Sequence, residues 1–233
     1  MIWRTILICS LLTLVSCTAR YFALRNNDRI MFFGDSITQY GVKPNGYITL
    51  IKDSLSKKLP SIEIIGAGIG GNKVPDLQAR IDTDVIAKNP TIVVIYIGIN
   101  DVWQSITPGG FGTPKNKYET GLEEIIRKIQ KTGARVILCT PTVIGEKKNG
   151  KNQLDKQLDE YSGISRHVAQ KTKIELCDLR YAFVSYLKSH NPRNVEEGIL
   201  TVDKAHLSDK GNRLVAEELL KALKQELIGF NDK

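Results

Sequence analysis

The sequence predicts an α/β domain, a three-layer α/β/α sandwich built on a central five-stranded, mostly parallel sheet. Three observations lead there. Residues 91–97 are a continuous run, Thr-Ile-Val-Val-Ile-Tyr-Ile, of the kind found in a strand buried on both faces. Five short apolar runs of this type alternate along the chain with apolar stripes at helical spacing. Polar or glycine-rich segments follow the first three strands, at the sheet edge where open α/β folds bind their ligands.

The elements follow in order. Residues 29–34 (Arg-Ile-Met-Phe-Phe-Gly) form the first strand, ended by Gly34. Residues 47–59 form a helix closed by Pro60, and residues 62–65 a second strand that runs into the glycine cluster 66–71. Pro75 opens a helix near 75–87, because its ring is pre-set for a first helical turn. The third strand is 91–97. Leu122, Ile125, Ile126 and Ile129 fall at i, i+3, i+4 and i+7, an amphipathic helix that Gly133 ends. Residues 135–139 form a strand stopped by Thr140-Pro141, and Leu154, Leu158, Tyr161 and Val168 stripe the next helix. Residues 174–177 make the last strand, and Ala216, Leu220, Leu223 and Leu227 the last helix. Crossovers between parallel strands are right-handed. Loops 100–116, 141–152 and 191–206 are too long for plain connections, which points to function.

A length of 233 residues suits one folded unit, here assigned to 26–230. The net charge of +8 comes from scattered lysines such as Lys57-Lys58, Lys147-Lys148 and Lys221. No helix carries a basic stripe with interleaved aromatics, so the charge reads as a solvated surface rather than a nucleic-acid site. Weak attraction to anionic polymers or lipid head groups is compatible with it. Residues 1–19 read as an export signal: Arg4 precedes an apolar run over 5–15 that is too short to span a bilayer. Leu14-Val15-Ser16-Cys17 resembles a bacterial lipobox, which would make Cys17 the lipidated first residue of an envelope lipoprotein. Cleavage after Ala19, giving a periplasmic or secreted protein, is the alternative. Cys139 and Cys177 each lie in a strand, and neighbouring strands of one sheet rarely bridge, so two buried free thiols are expected. Nothing has the spacing of a zinc site, and no metal or cofactor is expected.

The segments gathered at the sheet edge carry the chemistry. A serine nucleophile needs a base, an orienter for that base, and donors for the oxyanion. Ser36 stands just past the first strand. His206 can serve as its base, and Asp203, three residues earlier, can hold the other ring nitrogen. The Ser36 N–H, the Gly71 N–H and the Asn100 side-chain amide are candidate oxyanion donors. Trp103 and Phe111, in the loop that follows, are candidates either for a substrate pocket or for loop packing. Asp101 reads as a loop-fixing hydrogen bonder rather than a proton carrier. His167 reads as a surface residue and His190 as a cation at a helix end.

These segments together resemble the GDSL, or SGNH, hydrolases. Gly34-Asp35-Ser36-Ile37-Thr38 is similar to the family's first block, Gly68-Ile69-Gly70-Gly71 to its second, Gly98-Ile99-Asn100-Asp101 to its third and Asp203-Lys204-Ala205-His206 to its DxxH block. The resemblance implies a flavodoxin-like α/β/α fold and a serine ester hydrolase working without metal. Two departures stand out. Gly66 occupies a place often held by Asn, and Lys204-Ala205 stand where Gly-Val is frequent. Lys204 either faces solvent or places a charge beside the triad.

Substrates implied by the resemblance are short acyl esters, such as acetyl on a polysaccharide, with a lysophospholipid or other lipid ester as the alternative. A reading of another class is a non-catalytic carbohydrate-binding module that kept the fold. Two decoys are set aside. The cluster 66–71 fits G-x-G-x-x-G, but it follows the second strand rather than the first, and the next strand ends at Gly98 without an acid. No G-x-S-x-G elbow is present, which disfavours the common α/β-hydrolase fold.

Overall fold

The computed structural model describes residues 23–224. The export signal, Cys17 and Leu227 lie outside the described residues. Five parallel strands form one sheet: β1 (Arg29–Gly34), β2 (Glu63–Gly68), β3 (Ile92–Tyr96), β4 (Arg135–Cys139) and β5 (Glu175–Cys177), in the order β2-β1-β3-β4-β5. β1 and β3 are central, and every residue of β3 is buried, as the β-branched run requires. β2 lies at one edge and is only partly covered.

Among the described residues, eight α-helices surround the sheet. They are α1 (Ser36–Gly41), α2 (Tyr47–Ser56), α3 (Val74–Asp84), α4 (Ile99–Trp103), α5 (Lys115–Gln130), α6 (Asp155–Thr172), α7 (Leu179–His190) and α8 (Asp209–Ala222). α3, α5 and α6 pack side by side as one layer, and α2, α8 and α7 as the other. Helix α5 buries Tyr118, Leu122, Ile125, Ile126 and Ile129, one continuous stripe. No helix among the described residues is long and apolar enough to cross a membrane.

The five expected strands are all present. Two helices, α1 and α4, were not anticipated, and of α7 only its end at His190 was. α1 and α4 are too short to show a period, and each is set by tertiary context. α7 carries Leu179, Phe183 and Leu187 inward at helical spacing, but exposed Tyr181 and Val184 blur the stripe. The glycine cluster also divides differently: Gly66 and Gly68 belong to β2. A Cβ on Gly68 would lie 2.1 Å from the Gln39 amide nitrogen, so a glycine there lets α1 lie directly against the strand. Cys139 and Cys177 are register partners on β4 and β5, both free and buried, and burial pushes the Cys139 thiol well up.

The chain leaves β1 toward β2 on one side and returns to β3 on the other. The crevice between the carboxyl ends of β1 and β3 is therefore the topological switch point of the sheet. Ser36 follows β1 there, and Asn100 follows β3.

Candidate active site

Ser36 is the first residue of α1, and Asp35 caps that helix by accepting from the Ile37 N–H at 2.9 Å. At the first turn the Ser36 N–H has no carbonyl of its own helix to bind. The Ser36 hydroxyl lies 2.8 Å from His206 Nε2. His206 Nδ1 lies 2.6 Å from Asp203 Oδ2. Asp203 Oδ1 accepts from the backbone N–H of His206 at 2.8 Å and of Ala205 at 3.3 Å. The three expected side chains therefore form one hydrogen-bonded chain. Partial burial pushes the Asp203 carboxyl up, but the His206 ring and these two amides outweigh it and hold it below the usual carboxylate range. His206 is 29% exposed and Asp203 51%, so the site opens to solvent. The Tyr40 ring flanks His206, with centroids 5.2 Å apart.

The opposite wall is the loop after β2. Gly71 has φ +77°, in the left-handed region that favours glycine. Each neighbour of its amide is tied down. The Gly70 N–H donates to Gln39 Oε1 at 3.0 Å, and Gln104 Nε2 donates to the Gly71 carbonyl at 3.0 Å. Asn100 Nδ2 donates one hydrogen to the Asn72 carbonyl at 3.1 Å, which leaves its second N–H for another acceptor. Asn72 Oδ1 in turn accepts from Arg80 Nε at 2.7 Å.

Asp203 and His206 are held from beneath by a buried carboxylate. Glu146 is fully buried, and its Oε1 accepts from Leu200 N, Thr201 N and Thr201 Oγ1, while Oε2 accepts from Ile199 N. The same loop is zipped by main-chain bonds, Gly145 N to the Lys204 carbonyl and Glu146 N to the Glu196 carbonyl, each 2.8 Å. The long loops 141–152 and 191–206 are thus one unit.

Two further carboxylates lie close by. Asp35 is pushed up to about 7, first by burial and further by the neighbouring Asp101 charge, against the Ile37 amide that lowers it. Asp101 is pushed up to about 6, again chiefly by burial. Its Oδ1 accepts from Val74 N at 3.0 Å and its carbonyl from Thr113 N at 3.0 Å, the loop-fixing role expected of it.

The remaining candidates are not drawn into this network. Trp103 packs half-buried against the core. Phe111 is 80% exposed and lines a surface depression with Lys73, Pro75 and Lys117. His167 sits on the surface beside Glu119, and His190 stacks on Tyr186 and bonds its carbonyl at the end of α7. Lys204 has φ +75°, which accounts for the frequency of glycine at that place in the resembling family, and its ammonium lies 3.2 Å from Glu196. Reading the sequence missed Arg80, Glu146, Gln39, Asn72 and Gln104, since none belongs to a motif.

The model of the GDSL-like Lipase/Acylhydrolase family matches residues 32–214. An acetylxylan esterase of Geobacillus stearothermophilus is 29% identical over 220 residues, which cover 87% of this chain and 97% of that protein. A lipoprotein of Bacillus subtilis, YqeF, is 25% identical and covers 83% of this chain and 88% of its own. Among solved structures, the acetyl xylan esterase AlAXEase is 46% identical with a TM-score of 0.81, covering 83% of this chain and 98% of its own. With a family model spanning residues 32–214, most of the chain, the protein belongs to the GDSL-like lipase/acylhydrolase family and is a carboxylic ester hydrolase.

Proposed function

We propose that Ser36, His206 and Asp203 are the catalytic triad, and that the enzyme removes short acyl groups, acetyl above all, from carbohydrate. The observation that carries the first part is the unbroken chain of 2.8 and 2.6 Å contacts from hydroxyl to imidazole to carboxylate. Ser36 Oγ attacks the acyl carbon while His206 Nε2 takes the hydroxyl proton. The tetrahedral oxyanion is met by the N–H of Ser36, the N–H of Gly71 and the second N–H of the Asn100 amide. As the C–O bond to the leaving alcohol breaks, His206 gives that alcohol its proton. Water then attacks the acyl-enzyme, with His206 accepting its proton and returning it to Ser36 as the acid departs. Asp203 fixes the ring tautomer and its orientation.

Two facts support the carbohydrate part. The similar proteins named acetylxylan esterases act, by those names, on acetylated xylan. The triad also lies open, with His206 and Asp203 partly exposed and the half-exposed Tyr40 ring at its edge, which suits an ester carried on a polymer. Ser36→Ala removes the nucleophile and is expected to lower turnover of p-nitrophenyl acetate by at least 10³-fold. Wild-type turnover in that variant would end the triad assignment. Activity that peaks at C8 or beyond on a p-nitrophenyl ester series would favour a lipid ester over an acetyl ester.

The same reading includes export, with residues 1–19 as the signal and Cys17 as the lipidated residue. The lipobox-like run and the similarity to a lipoprotein support it. Palmitate label incorporated by the wild type in a bacterial host and lost in Cys17→Ala is the expected result. Equal labelling of both, or of neither, overturns it.

A further inference from the structure

We propose that Arg80 is the positioning residue of the oxyanion wall: one guanidinium sets the spacing between the serine-bearing strand and the donors that face it. The inference rests on the triad reading above. Arg80 lies on α3, outside every motif block, with 13% of its side chain exposed. Its guanidinium carbon stands 4.5 Å from the centre of the Phe33 ring, over the end of β1.

All five of its N–H groups are used. Nη2 donates to the Gly34 carbonyl at 2.8 Å and to the Ala67 carbonyl at 3.1 Å. Nη1 donates to the Ala67 carbonyl at 3.1 Å and to Asp84 Oδ2 at 2.8 Å. Nε donates to Asn72 Oδ1 at 2.7 Å. A guanidinium with no donor left over, its charge met by Asp84, has nothing to offer a substrate anion. The Asp84 carboxyl is held below its usual range, first of all by this bond.

Each acceptor belongs to a different part of the wall. Gly34 leads directly into Asp35-Ser36. Ala67 is near the end of β2. Asn72 follows Gly71, and its carbonyl receives the Asn100 amide. The β1–β2 ladder ends at the Gly34–Gly68 pair, and the Ile69 N–H still donates to the Gly34 carbonyl at 3.2 Å, so it is residues 70–72 that the register no longer places. The Asn72 N–H reaches only the Ile69 carbonyl within the same loop, at 3.3 Å. Arg80 adds a tie from Asn72, at the far end of that loop, back to the Gly34 carbonyl of β1. A lysine substitutes only in part, because a tetrahedral ammonium has three donors where the guanidinium uses five.

The test compares Arg80→Lys, Arg80→Met and Asn72→Ala with wild type, reading p-nitrophenyl acetate kinetics and the Ki of phenylboronic acid, which adds to the serine as a tetrahedral mimic. Displacing a donor is expected to lower kcat by roughly 10²-fold in Arg80→Met, with KM changed less than about threefold. Phenylboronic acid Ki should rise by the same factor as kcat/KM falls. Arg80→Lys should lie between, and Asn72→Ala, a loop residue whose loss spares the core, should show the same pattern at roughly 10-fold. A kcat and Ki within twofold of wild type in Asn72→Ala and in any folded Arg80 variant would overturn the proposal. So would a kcat loss with Ki unchanged. Ser36→Ala run alongside separates the two readings: if it stays active, the triad assignment has failed, not the role of Arg80.

Discussion

Glu146 to glutamine tests whether one buried carboxylate holds the loop that carries Asp203 and His206. Its two oxygens accept four hydrogen bonds, three of them at Oε1, at 2.7 Å from Leu200 N, 2.5 Å from Thr201 N and 2.7 Å from Thr201 Oγ1. The fourth is from Ile199 N to Oε2 at 2.9 Å. Glutamine keeps the shape and loses the charge. Its best orientation leaves the oxygen on the three-bond side, where each bond falls from charge-assisted to neutral, a loss of about 0.5–1 kcal/mol apiece. Its NH₂ group then faces the Ile199 N–H, donor against donor, and an unsatisfied buried group costs about 1–3 kcal/mol. The sum is about 2.5–6 kcal/mol, which for a domain of this size lowers Tm by roughly 5–24 °C. Thermal unfolding of Glu146→Gln and wild type at one pH, followed by circular dichroism, is the measurement. A Tm within about 2 °C of wild type would show that the loop is held by its main-chain bonds alone, and the reasoning would be wrong.

Three further outcomes are expected. Asp35 is raised to about 7, so the folded chain keeps a proton that the unfolded chain has already released. Stability conferred by the protonated form is complete below pH ~4 and is lost as pH rises toward ~7, by at most about 1.4 kcal/mol per pH unit. Urea unfolding across that window should give a flatter curve for Asp35→Asn than for wild type, and parallel curves would refute the assignment. Lys204 holds a left-handed φ that costs a side chain about 1 kcal/mol relative to glycine, so Lys204→Gly should melt about 2–4 °C above Lys204→Ala. Equal melting temperatures would show that the turn is unstrained. If Asn100 is an oxyanion donor as proposed, Asn100→Ala should lower kcat by roughly 10²–10³-fold on p-nitrophenyl acetate, while a loss under threefold would remove Asn100 from the oxyanion set.

The strands and the hydrogen-bonded triad were legible because the signals behind them are local. A β-branched run such as 92–96 announces a buried strand whatever surrounds it. Asp203 and His206 lie one turn apart, and Ser36 and Asn100 each follow a strand at a fixed short distance. The left-handed backbone at Lys204 was hidden for the opposite reason, since a lysine there carries no sign of the conformation it is made to adopt.

Arg80 and Glu146 escaped notice for a deeper reason, which bears on how the site is built. Most of what they bind is main chain: the carbonyls of Gly34 and Ala67, and the amides of Ile199, Leu200 and Thr201. Every residue type offers the same carbonyl and the same N–H, so such a bond imposes no choice of partner and leaves no pair of letters to find. A metal cage or a disulfide marks both ends in the sequence. A buried charge satisfied by backbone marks only one, and that end looks like any arginine or glutamate on an amphipathic stretch. The two residues nevertheless divide the support of the site between them. The cation gathers outward-pointing carbonyls where the strands end, and the anion gathers amide hydrogens in the loop that carries the acid and the base. In each case the sign of the charge follows from which main-chain atoms the fold leaves with hydrogen-bonding capacity to spare at that place. The means of finding further residues of this kind is therefore to ask which backbone groups run out of ladder or helix near the reacting atoms, and then to look for the buried charge of opposite polarity that meets them.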